Sequence, residues 1–141
     1  MSDKKEPIVA LEVAEAEFDR FAEMMDLDVD TSVMNEEDVS GFEKQKRRIL
    51  RALQAGSLVI NDNGEAVYCP QHSRSKHKDA ITFHEYSGAS GMATDGKKKN
   101  QNVAATYAMM GDMCKVHPNI FASLVGPDIK ICMALFLLLM D

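Results

Sequence analysis

Apolar residues in the first part of the chain recur at helical spacing: Leu11, Ala14, Phe18, Phe21, Ala22 and Met25 punctuate a Glu-rich run. Pro7 suits a first helical position, so the pattern predicts an amphipathic helix over about residues 7–26 with Leu11, Phe18, Phe21 and Met25 as its buried stripe. A second helical pattern, Val39, Phe42, Ile49, Leu50 and Leu53, predicts a helix over 36–55 that Asn35 caps and Gly56 stops. The period then drops to two. Ser57-Leu-Val-Ile60 and Glu65-Ala-Val-Tyr68 flank Asn61-Asp-Asn63-Gly64, where Asn-Gly tolerates the positive φ that a tight hairpin turn demands. After a polar, basic stretch from Cys69 to Asp79, Ile81-Thr-Phe83-His84-Glu-Tyr86 alternates as a third strand.

The remainder returns to helical spacing. Asn102 is placed to cap a helix through about Val116 whose stripe is Val103, Tyr107, Met110 and Cys114, widened by Met109 and Met113. Pro118 starts a short helix carrying Ile120, Phe121 and Leu124, and Gly126-Pro127-Asp128 begins the last one. From Ile131 to Met140 that helix is apolar on every side. Ten residues are too few to cross a bilayer, which takes about 20. Its faces, Ile129, Cys132, Met133, Phe136 and Met140 on one side and Ile131, Leu135, Leu138 and Leu139 on the other, must be covered by the sheet or by another polypeptide.

These elements predict an α+β fold: two N-terminal helices, a three-stranded antiparallel sheet built on a β-hairpin, and a C-terminal helical layer. A length of 141 residues suits one domain, 1–141, divided into a helical hairpin (1–56), a small sheet (57–86) and the helical layer (87–141). Composition is ordinary for a globular chain, with 45% hydrophobic and 27% charged residues. The polar start, Met1 to Glu6, resembles no secretory leader, and three widely spaced cysteines (Cys69, Cys114, Cys132) suit free thiols, so a cytoplasmic protein is expected.

Charge changes the picture more. Residues 1–43 carry 14 acidic groups against Lys4, Lys5 and Arg20, a net −11, whereas the rest carries 13 basic against 8 acidic, a net +5. Such segregation favours oriented association with itself or with a complementary partner, although a solvated acidic helix beside a basic one is the commoner outcome. Lys44, Lys46, Arg47, Arg48 and Arg51 line the second helix without interleaved aromatics in an acidic protein, so nucleic acid is not expected as a partner.

Candidate chemistry is sparse. Asp26 to Glu37 places oxygen-bearing residues at EF-hand intervals, but Thr31 stands where the calcium loop needs a residue comfortable at positive φ. Cys69, His72, His77 and His84 contain one Cys-x2-His pair and no second, short of a closed zinc site. Cys114 and His117 lack an orienting third group. No metal, cofactor or catalytic residue is therefore expected, and the chain reads as a non-enzyme.

A resemblance adds a function to this pattern. Phe83, Glu85, Ser87, Gly88, Ala89, Asp95, Tyr107 to Met110, Asp112, Met113, Pro118, Phe121, Leu124, Asp128, Ile129 and Lys130 follow an order similar to that of the small tail assembly chaperones of long-tailed bacteriophages. The likeness covers about the last 60 residues and, more loosely, the hairpin. It implies a non-enzymatic protein of the infected host's cytoplasm that binds the tape measure protein and tail tube subunits during tail morphogenesis. Met109, Met110, Met113, Leu135 and Leu139 are the candidate partner contacts, since Met-rich surfaces adapt to irregular partners. Either self-association into a homo-oligomer or partner binding is expected through one of the two faces of the last helix. Competing readings are a virion structural protein of the tail or head–tail region and an EF-hand-like calcium-binding module.

Overall fold

A computed structural model describes residues 9–27, 31–85 and 102–140. Helix α1 (Leu11–Met24) and helix α2 (Glu36–Ala55) pack against each other, with a 3-10 turn at Thr31–Val33 between them. Strands β1 (Leu58–Ile60), β2 (Ala66–Tyr68) and β3 (Ile81–Phe83) form an antiparallel sheet in that order. Helices α3 (Asn102–Cys114), α4 (Asn119–Ala122) and α5 (Pro127–Met140) complete the fold. The architecture is the α+β arrangement the pattern predicts.

Helix α2 carries its predicted punctuation. The Asn35 side chain accepts from the Asp38 N–H at 2.8 Å, and Gly56 closes the other end at φ 80°. Helix α1 ends differently: Leu27 N–H reaches Ala22 O and Asp26 N–H reaches Glu23 O, a Schellman turn with Asp26, at φ 55°, in the place glycine usually takes. Its buried stripe is Ala14, Phe18, Phe21 and Ala22. Leu11, expected inside, is 45% exposed because the helix begins there and nothing among the described residues covers its first turn on that side.

The sheet buries one face. Its register aligns Leu58, Tyr68 and Ile81 in one row and Ile60, Ala66 and Phe83 in the next, all buried, while Val59, Val67 and Thr82 line the opposite face. The hairpin turn differs from the tight two-residue form: Gly64 N–H closes on Asn61 O at 2.9 Å, and only Gly64, at φ 79°, adopts positive φ. Gly64 is required for a second reason, since a Cβ there would lie 2.5 Å from the Cβ of Met24. Arg20 ties α1 to the hairpin from the other side, donating to Ile60 O at 2.7 Å and Asn61 O at 2.9 Å. The third strand is shorter than its alternation suggests, and Tyr86 lies outside the described residues.

Helix α3 closes in the same manner as α1, with Val116 N–H on Gly111 O and Lys115 at φ 57°. It therefore stops at Cys114, short of Val116. Its stripe enters the core progressively: Val103 is 65% exposed, Tyr107 half-buried, Met110 and Cys114 buried. Helix α5 lies against α2, and both of its long sides are covered by the chain itself: Cys132 and Phe136 on one, Leu135, Leu138 and Leu139 on the other. Only Leu137 and Met140 remain exposed among its large apolar residues. Among the described residues no helix is long and apolar enough to cross a membrane.

Candidate functional site

The polar centre of the molecule is Asp128, in the first turn of α5 and 1% exposed. Its Oδ1 accepts from the Tyr68 hydroxyl at 2.5 Å and the Gln71 N–H at 2.9 Å; its Oδ2 accepts from the Ser75 hydroxyl at 2.7 Å and the His72 N–H at 2.9 Å. Ser75 Oγ in turn accepts from the Val125 N–H at 2.9 Å, and Lys76 N–H donates to Ser123 O at 3.2 Å. One carboxylate thus fastens the basic loop after β2 to the turn that starts α5. A buried carboxylate is tolerable only when so satisfied, and its position at a helix N-terminus helps further.

The titration behaviour follows from this geometry. Burial pushes the Asp128 carboxyl upward, but the hydrogen bonds from Tyr68, Gln71, Ser75 and His72 outweigh it and hold the group below the usual aspartate range. Burial first, and then the neighbouring carboxylate, push the Tyr68 phenol far above its ordinary value. Tyr68 therefore stays protonated as a donor, and all four acceptor sites of Asp128 are taken. The cleft beside this pair, about 340 Å³, is walled by Ala52, Ala55, Pro127 and Ile131 with Arg51 and His72 among its other lining residues. With Tyr68 and Asp128 spent on each other and on the loop, that pair supplies the cleft with no free acid or base.

The residues weighed for chemistry are not gathered. His84 Nδ1 lies 2.5 Å from Glu65 Oε2 at the hairpin end, His72 Nδ1 accepts from the Arg74 N–H, and Cys69 is exposed. Among the described residues no three His, Cys, Asp or Glu side chains group as a metal site, and Asp28 and Asp30 of the EF-hand-like stretch lie outside the described residues. Cys114 is buried, with its thiol pushed up to about 12, and His117 turns its Nδ1 to the Asn119 N–H. Burial likewise raises Cys132 well above the thiol range.

Of the five partner-contact candidates, Met110, Met113, Leu135 and Leu139 are buried in the core, and only Met109 is partly accessible. Four of them are thus unavailable as a surface in the folded chain, because α5 packs against α2 and α3 packs against β3. The accessible apolar surface of this layer lies elsewhere. A groove of about 630 Å³ runs past Val103, Tyr107, His117 and Pro118, and a smaller one of about 220 Å³ lies between Val103, Tyr107 and Met133. Sequence reasoning missed both this groove and the Asp128 hub. An aspartate after a Pro at a helix start carries no mark of burial, and its donors stand 53 to 60 residues earlier.

No family model matches this chain, and no curated protein or solved structure matches it either.

Proposed function

We propose that this protein is a non-catalytic assembly factor, a tail assembly chaperone of a long-tailed bacteriophage, acting in the host bacterial cytoplasm on the tape measure protein and tail tube subunits. The resemblance of residues 83–130 motivates the reading, and the apolar groove around Val103 carries it on the structural side. A side chain that is 65% exposed at the end of a stripe half-buried at Tyr107 and buried from Met110 leaves unburied apolar area that a partner's apolar segment can cover. Tyr107 and Met133 beside it offer an adaptable, amphipathic lining.

Co-expression with the tape measure protein of the same phage, followed by affinity capture, tests the proposal. Capture is expected for the wild type and is expected to fall at least tenfold for Val103→Glu, with thermal unfolding unchanged because the site is exposed. Failure of the wild type to capture the tape measure protein, or its presence in purified virions, would refute the chaperone reading, the latter in favour of a structural role.

A further inference from the structure

The two N-terminal helices each present an outward stripe of one charge sign. On α1, Glu12, Glu15, Asp19 and Glu23 are all exposed at i, i+3, i+7 and i+11, within about 100° of arc on a helix of 3.6 residues per turn. On α2, Lys44, Arg47, Arg48 and Arg51 follow at i, i+3, i+4 and i+7, exposed except for a half-buried Arg48. None of these eight side chains has an ion-pair or hydrogen-bond partner among the described residues, whereas the neighbouring Glu17 and Arg20 pair with each other at 2.8 Å. The helices pack side by side through Phe18, Phe42 and their neighbours, which leaves both charged stripes on the molecular surface.

We propose that the α1 stripe of one molecule docks on the α2 stripe of a second copy, making the helical hairpin a self-complementary dimer interface. A two-fold axis would then form the acidic-to-basic contact twice, once in each direction. The basic stripe, about 10 Å long at 1.5 Å per residue, is spanned by the longer acidic stripe of about 16 Å. Exposed Leu11 at the edge of the acidic stripe and the apolar cleft beyond Arg51 add contact that charge alone lacks. A nucleic acid fits the basic stripe less well: no exposed aromatic interleaves it, and the acidic helix alongside would repel a polyphosphate. This interface is separate from the groove on α3 and does not depend on the function proposed for it.

The test is sedimentation velocity on the full chain and on two charge-reversed variants, Arg47→Glu/Arg51→Glu and Glu15→Lys/Asp19→Lys. These positions are exposed, so circular dichroism should show both variants folded. The wild type should dimerise at low salt and dissociate toward about 1 M salt, where the screening length is about 3 Å. Each variant alone should be monomeric, with dimer affinity reduced at least tenfold, and an equimolar mixture of the two should associate again. A wild type that stays monomeric at low salt overturns the proposal. So does association of either variant at wild-type strength, or failure of the mixture to recover. Loss of only co-purifying nucleic acid in the Arg47→Glu/Arg51→Glu variant would assign the basic stripe to a polyanion instead.

Discussion

Replacing Asp128 by alanine removes the one acceptor shared by the Tyr68 hydroxyl, the Ser75 hydroxyl and the Gln71 and His72 amides. Water can re-satisfy the two amides, which are only partly buried, but Tyr68 and Ser75 are each 1% exposed. A buried donor left without a partner costs about 1–3 kcal/mol, so two give about 2–6 kcal/mol, and relief of the carboxylate's own desolvation trims the upper end. We expect a loss of about 3–5 kcal/mol, a large part of the roughly 5–15 kcal/mol that holds a typical domain together. Urea unfolding followed by circular dichroism measures it. Tyr68→Phe should cost about 1–2 kcal/mol, and the double variant should cost less than the sum because the two share one hydrogen bond. The loop should also loosen, so that trypsin cuts at Arg74, Lys76 or Lys78 faster than in the wild type. A cost below about 1 kcal/mol for Asp128→Ala, or unchanged cleavage, would refute the view that this carboxylate holds loop to helix.

Three further outcomes follow from the geometry. Because the hydrogen bonds hold Asp128 below its unfolded value, its stabilising contribution is complete above the unfolded pKa and is lost as pH falls through the folded one; Asp128→Asn should flatten that acid limb, and an unchanged acid midpoint would count against it. Lys115→Gly should raise stability by about 1 kcal/mol by relieving an L-residue at φ 57°, read as an increase in urea midpoint, whereas Gly111→Ala should lower it because a Cβ there meets Val116 O at 2.7 Å. Native-state alkylation should modify exposed Cys69 and spare buried Cys114 and Cys132, and rapid labelling of all three thiols would show that the core opens readily.

What the sequence determined by itself is the set of elements, since each is written in local physics. The 3.6 and 2.0 periodicities, the Asn35 cap, the Gly56 stop and the Asn61–Gly64 turn all act within a few residues, and the structure places α2, the hairpin and α5 where they indicate. Tertiary structure decided which side of each element meets which neighbour. Helix α5 shows this most clearly: apolar all round, it carries no moment to distinguish a core face from a surface face, and only the packing of α2 against it put Leu135 and Leu139 inside. Val103 is the converse, a stripe residue that stays 65% exposed at the start of α3 while Met110 and Cys114 further along are buried. Asp128 belongs to the same class. Its environment is assembled from Tyr68, Gln71, His72 and Ser75, and a hydrogen bond between residues 60 positions apart leaves no trace in local composition.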